Sequence, residues 1–206
     1  MSFSRRLLMS APLAFLVRAR PAGAAAPAGA PNAVIARFYD VLLAVMKAAK
    51  GLNFEARYQR LAPTIAQSFD LALMTRIAVG PSWGQIAAAD QQRLTDAFSR
   101  YTVSVYANRF DGYGGERFEV DPAAAPGANG TLVKSWLVKS NGEKVVLDYL
   151  MRPDPSGGWK VIDVYLSGTI SELATRRSEF LAVLQRGGAA GLIRMLEQRT
   201  AALRTG

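Results

Sequence analysis

The chain has 206 residues, a formal net charge of +9, no cysteine and no histidine. Disulfides and thiolate metal sites are therefore excluded, and the commonest general base and commonest zinc ligand are missing. Binding is favoured over catalysis, although carboxylates, lysine and tyrosine remain able to move protons.

The first thirty residues carry Arg5, Arg6, Arg18 and Arg20 and no acid. Arg5 and Arg6 precede an apolar run from Leu7 to Val17, followed by Ala22-Gly23-Ala24 and Ala28-Gly29-Ala30. Basic, apolar and small-residue stretches in that order make a signal peptide over 1–30, and eleven apolar-leaning residues are too few to span a bilayer. A short membrane anchor is the alternative reading. Ser4-Arg5-Arg6-Leu7-Leu8 looks like a twin-arginine export signal, with Met9 where that motif often has lysine. The expected compartment is the periplasm. The remaining 31–206 has 21 cations and 16 anions, a net +5, and is expected to form one domain. Its cations are dispersed without a Lys/Arg run, which argues against nucleic-acid binding. A moderate positive charge suits anionic headgroups or an acidic partner as well as plain solubility.

Helices come first. Apolar residues recur at Val34, Phe38, Val41, Leu42 and Val45, predicting a helix from Ala33 to Lys50 that Gly51 ends. Phe54–Phe69 reads as a second helix, bent or interrupted at Pro63. Asp70 can cap a short third one that stops at Gly80-Pro81. A long helix is expected from Asp90 to Phe110, its buried stripe Leu94, Phe98, Tyr101 and Val105.

Strands follow. Glu116–Val120 is a short one, and Asp121–Gly130, rich in Ala, Pro and Gly, reads as a loop. Thr131–Lys139 and Lys144–Arg152 flank Asn141-Gly142, a strong hairpin signal. A two-residue turn there sets Val138 opposite Val145, Trp136 opposite Leu147 and Ser135 opposite Asp148. One face then carries Leu132, Trp136, Val138, Val145, Leu147, Tyr149 and Met151; the other carries Val133, Leu137, Val146 and Leu150. Both are largely apolar, so something must cover each. Helices can cover one side, and helices plus a ligand the other. A further strand runs from Trp159 to Leu166. Thr169-Ile170-Ser171-Glu172 has capping-box spacing, opening a helix to Arg186 that Gly187-Gly188 ends before a last helix with Leu192, Ile193, Leu196 and Leu203. The expected class is α+β: an antiparallel meander of about four strands between N-terminal and C-terminal helices.

The candidate apolar pocket, from the helix stripe and the second sheet face, is Phe98, Tyr101, Val105, Val133, Leu137, Val146, Leu150, Ile162 and Val164. Arg176 and Arg177 are candidates for a phosphate headgroup, against the plainer reading of a solvated helix face. Asp148 and Asp163, unusual inside strands, admit an acid–base pair; the alternative is that each accepts hydrogen bonds from a neighbour such as Ser135 or from a helix terminus. Gly112, Gly114 and Gly115 do not sit between strand and helix, so turn chemistry explains them better than a phosphate loop. Trp83, Trp136 and Trp159 read as core before they read as a ligand box. No catalytic residue, metal site or cofactor is expected.

An ordered set of segments runs through nearly all of 31–206: Phe38-Tyr39-Asp40-Val41-Leu42, Arg57-Tyr58 with Leu61 and Pro63, Phe69-Asp70, Met74, Gly80-Pro81-Ser82-Trp83, Phe98 and Tyr101 ahead of Tyr106-Ala107-Asn108-Arg109-Phe110, and Trp159-Lys160-Val161-Ile162-Asp163-Val164. This set resembles the MlaC family, the periplasmic phospholipid-binding component of a lipid ABC transport system, also called the toluene-tolerance auxiliary family. The stretch Gly168–Phe180 departs from the commoner family form and looks closer to HpnM, a relative associated with hopanoid lipids. The resemblance implies an NTF2-like curved sheet, acyl chains between sheet and helices, and no enzymatic activity. It also implies a monomeric shuttle between membranes. Its partners would be a phospholipid or hopanoid-type lipid, an inner-membrane lipid ABC transporter complex and an outer-membrane lipoprotein receptor. The competing class is an NTF2-like enzyme using Asp148 and Asp163.

Overall fold

A computed structural model describes residues 29–127 and 129–205. The expected export signal therefore lies almost wholly outside the described residues. No helix among the described residues is long and apolar enough to cross a membrane.

Four helices precede the sheet: α1 (Pro31–Ala48), α2 (Phe54–Ser68), α3 (Leu71–Val79) and α4 (Ala88–Arg109). Pro31 opens α1, where its missing N–H costs nothing, and Ile35, Phe38, Leu42 and Val45 form the buried stripe. α2 is one helix despite Pro63, and the Asn53 side chain caps it by accepting from the Ala56 amide. The Asp70 carboxylate accepts from the Leu73 amide and caps α3, as its sequence signals. Gly80 ends that helix with φ 69°.

Five antiparallel strands follow in sequential order: β1 (Arg117–Gly127), β2 (Gly130–Val138), β3 (Lys144–Pro153), β4 (Trp159–Leu166) and β5 (Ile170–Ser171). β1 runs through most of the stretch expected to be a loop. Ala124 and Ala125 pair with Val133 and Leu132 after a register shift beyond Val120. β1 is an edge strand, so the missing N–H groups of Pro122 and Pro126 leave no ladder partner stranded.

The β2–β3 hairpin differs from the expected one by a single residue. Lys139 donates its amide to the Glu143 carbonyl at 2.9 Å, closing a three-residue loop of Ser140, Asn141 and Gly142. Gly142 has φ 86°, the left-handed residue that such a loop needs. Trp136 consequently faces Val146, not Leu147, and Val138 faces Lys144, not Val145. A one-residue slip exchanges the faces of one strand relative to its neighbour. Val133 thus shares its face with Tyr149 and Met151, while Val146 and Leu150 share theirs with Trp136 and Leu132.

The helices pack on the first of these faces, where Val133, Tyr149, Met151, Val161 and Val164 join their core. Leu132, Trp136, Val146, Leu150 and Tyr165 do not belong to that core. Their face is finished by charge: Lys144 lies over the Trp136 ring at 5.5 Å and pairs with Glu119 at 2.6 Å. This second face stands outside the helix-side core, yet Val138, Asp148, Leu150 and Asp163 on it are buried.

α5 (Glu172–Thr205) is broken at Gly188, whose φ of 58° and ψ of −164° are not helical. Its arms, 172–187 and 189–205, fold back on each other, because Glu179 and Arg199 pair across the break through both guanidinium nitrogens. The cap is Ser171, which accepts from the Ala174 amide at 2.9 Å; Thr169 and Glu172 form no capping box.

One buried group is unpaired among the described residues: the Ser104 hydroxyl on α4, fully buried. A buried hydroxyl without a partner carries a desolvation cost of roughly 1–3 kcal/mol. Ser104→Ala is expected to stabilise the fold by about 1 kcal/mol, raising Tm by about 2–4 °C. Calorimetry showing an unchanged or lower Tm would contradict this account of Ser104.

Candidate functional site

A cleft of about 690 Å³, including its open mouth, lies between the helix-side face of the sheet and the helices. α4 supplies Phe98, Thr102, Val105, Tyr106 and Arg109, with Phe110 just beyond it. Leu147, Tyr149, Val164 and Leu166 come from β3 and β4, Phe69 and Met74 from around α3, and Glu172, Leu173 and Arg176 from the first turns of α5. Helical geometry explains the α4 row: residues 98, 102, 105 and 109 recur at steps of four, three and four and so share one face.

The floor is aromatic and uncharged. Phe69 meets Tyr106 at 5.8 Å and Tyr149 at 6.3 Å, both edge to face, and Phe38 closes the group from behind. Burial raises the Tyr106 and Tyr149 phenols well above their ordinary range. Tyr39, behind them, is pushed up to about 12 by the same desolvation, partly offset by its contact with Ser135. Tyr39 and Ser135 share a 2.7 Å hydrogen bond, and Ser135 in turn donates to the Leu147 carbonyl. These hydroxyls stay protonated at any ordinary pH, so the floor presents no charge to a guest.

The rim is ionic. Arg176 pairs with Glu172 at 3.2 Å and lies over the Tyr101 ring at 5.0 Å. Arg109 is exposed and has no carboxylate partner among the described residues. Two guanidiniums and one carboxylate leave the mouth net positive, while the walls below are hydrocarbon.

Of the residues expected at a pocket, Phe98, Val105, Val164 and Arg176 line the cleft. Tyr101 does not; it supports Arg176 from outside. Val133 lies on the correct sheet face, buried in the core away from the cleft. Leu137 shares that face but sits at the hairpin end beside Phe118 and Val145. Val146 and Leu150 are on the opposite face because of the register. Ile162 is the unpaired residue of a bulge between the pairs Leu150–Asp163 and Met151–Val161, buried outside the helix-side core. Arg177 points to α3, donating to the Ile77 carbonyl. Sequence reasoning missed Leu147 and Tyr149, whose parity the three-residue loop would have revealed. It also missed Arg109, one helical row from the stripe it used.

The strand carboxylates are structural. Asp148 accepts from the Ser135 amide at 3.2 Å. Asp163 accepts from the Leu173 and Val164 amides and from the Ser171 hydroxyl, so it caps α5 from across the sheet. Neither lines the cleft. No cluster of acidic residues able to hold a metal occurs among the described residues.

An apolar, neutral-floored cleft with a cationic rim on an α+β sheet defines a binding fold for amphiphiles. The chain belongs to the MlaC family: the model of the MlaC protein matches residues 36–198. Among solved structures it is similar to a phospholipid-binding protein from Ralstonia solanacearum in complex with a phospholipid. That match has a TM-score of 0.72 and 30% identity, covering 84% of this chain and 98% of that one. No curated protein matches the chain.

Asp148 yields a test of sign. Desolvation raises its pKa in the folded state, so folding takes up protons there. Its stabilising contribution is complete below the unfolded value of about 3.9 and is lost as pH rises through the folded value. Asp148→Asn cannot ionise and keeps an acceptor for the Ser135 amide. The stability of Asp148→Asn relative to the parent should therefore rise as pH increases above the unfolded value of about 3.9, in urea titrations. A flat or falling difference would refute the desolvation.

Proposed function

We propose that this protein is a periplasmic lipid carrier, a binding protein and not an enzyme, which holds the tails of a phospholipid or hopanoid-type lipid in the cleft. Arg109 and Arg176 meet the headgroup at the mouth. The carrier moves its cargo between membranes, receiving or delivering it at an inner-membrane lipid ABC transporter complex and an outer-membrane lipoprotein receptor. The observation that carries this reading is the cleft itself: hydrocarbon walls and a neutral aromatic floor under a cationic rim. Membership of the MlaC family and the phospholipid held by the Ralstonia solanacearum neighbour support it.

Physical chemistry sets the terms of transport. Burying each methylene contributes about 0.8 kcal/mol, so a tail of about sixteen carbons grosses on the order of 12 kcal/mol before ordering and association costs. A bilayer solvates the same tail equally well. A carrier therefore needs only near-parity with the membrane, and direction is supplied by the partners at each end. Docking through charge should weaken with salt.

Mass spectrometry of the organic extract of protein purified from the periplasm should find lipid at near-stoichiometric amounts. Val105→Asp and Leu147→Asp place a carboxylate among hydrocarbon walls and should lower bound lipid by about tenfold or more at unchanged circular dichroism. Folded protein that neither copurifies with lipid nor takes it up from vesicles would overturn the proposal.

A further inference from the structure

The size of the cleft limits what it takes. Its whole empty space, open mouth included, is about 690 Å³, so that figure is a ceiling. A methylene fills about the space of one molecule of liquid water, about 30 Å³, so a chain of about sixteen carbons fills about 480 Å³. Two such chains need about 960 Å³ and exceed the ceiling. A narrower measure agrees. The slot leaves about 90 Å³ to a water-sized sphere, whereas an apolar cavity of about 150 Å³ takes one benzene. A first chain therefore enters by turning side chains aside, and a second would have to part the walls.

Those walls are tied. β3 and β4, which supply Leu147, Tyr149, Val164 and Leu166, each have a hydrogen-bonded strand on both sides. α4 packs against α2, α3 and α5. The start of α5 is held to β4 by Asp163, which accepts from the buried Leu173 amide at 3.2 Å and from the Ser171 hydroxyl. Further along, buried Phe180 meets Phe98 edge to face at 6.4 Å. The floor is locked from behind, with Phe38 at 5.3 Å from Phe69 and 5.5 Å from Tyr106. Interiors packed in this way have low compressibility and do not stretch by the width of a chain. Leu147, Leu166 and Arg176 are only half-buried, so their side chains can change rotamer while the backbone stays.

We propose that the cleft holds one hydrocarbon chain at a time, and that the cargo it selects is a single-chain phospholipid, of the lysophospholipid class, over its diacyl counterpart. The proposal rests on the lipid-carrier reading and narrows it. The chain lies along the α4 row. That row rises about 16 Å from Phe98 to Arg109 at the helical pitch, and one leaflet of hydrocarbon is about 15 Å deep. The phosphate stays at the rim with Arg109 and Arg176. A diacyl lipid lodged in this slot leaves its second tail in water, and the whole hydrophobic cost of that tail then favours its return to the bilayer.

A mixed membrane tests the selection. Delipidated mature protein is incubated with vesicles of palmitoyl-oleoyl phosphatidylglycerol in which about one lipid in ten is palmitoyl lysophosphatidylglycerol. The protein is then separated, and its bound lipids are counted by mass spectrometry. Bound lysolipid should exceed its share of the vesicle by about tenfold or more. Lysolipid also leaves a bilayer unaided, so a widened cleft is the control. Leu147→Ala together with Leu166→Ala removes wall carbons worth about 180 Å³ on the same scale. The bound ratio of lysolipid to diacyl lipid should then fall about fivefold. Met74→Ala widens the slot from α3 and should move the ratio in the same direction, which keeps the test intact if the double variant does not fold. Parent protein that carries diacyl lipid at or above its vesicle share overturns the single-chain cleft. So does a folded, widened variant whose ratio is unchanged. Parent and widened proteins that carry neither lipid would instead overturn the carrier reading, and the single-chain cleft with it.

Discussion

Gly142 holds a φ of 86°, and the parity of β2 and β3 follows from it. The left-handed residue closes a three-residue loop, and the loop pins Val133 opposite Tyr149 and Trp136 opposite Val146. Shift that pairing by one, and Tyr149 shares a face with Trp136, away from Val133. The aromatic floor would come apart, because Tyr149 is the ring that meets Phe38, Tyr39 and Phe69 together. The hydroxyl chain from Tyr39 through Ser135 to the Leu147 carbonyl depends on the same register.

On that floor the molecule separates two kinds of surface. The helix-side face keeps its polar atoms satisfied internally and presents neutral rings and aliphatic chains to the cleft. The opposite face groups Glu119, Lys144 and Arg117 around Trp136 at its hairpin end. Long cationic side chains such as Lys144 cover apolar surface with their stems while their charge stays in water. The cleft lies on the helix side, with Arg109, Arg176 and Glu172 as its polar border.

The carboxylates inside the strands serve the architecture. Asp163 reaches over to the first turn of α5 and, with Ser171, satisfies amides that a helix start leaves unpaired. That tie holds the near end of the arm that walls the cleft, while Glu179 and Arg199 hold its far portion. The first arm of α5 is thus held at its start by Asp163, along its length by Leu173 and Phe180, and to the second arm by the Glu179–Arg199 pair. Its position closes the cleft without disulfides, which the composition does not offer.

Local chemistry made much of this legible in the sequence. The Asp70 cap, the helical stripes, the order of helices then strands and the break at Gly187-Gly188 are each written in a few neighbouring residues. Phe98, Val105, Val164 and Arg176 were found at the cleft for the same reason: helix and strand periods place them without knowledge of the rest. Tertiary structure decided what local periods leave degenerate. Asn141-Gly142 is compatible with a two-residue or a three-residue loop, and the three-residue form is the one that places Tyr149 against Phe38, Tyr39 and Phe69. β1 continues through Pro122 and Pro126 because it ends up at a sheet edge, which no local pattern announces. The side of the sheet that receives the helices, and therefore which apolar strand residues meet a guest, is a property of the assembled layers. A chain segment with apolar residues on both faces does not encode which face will be dry.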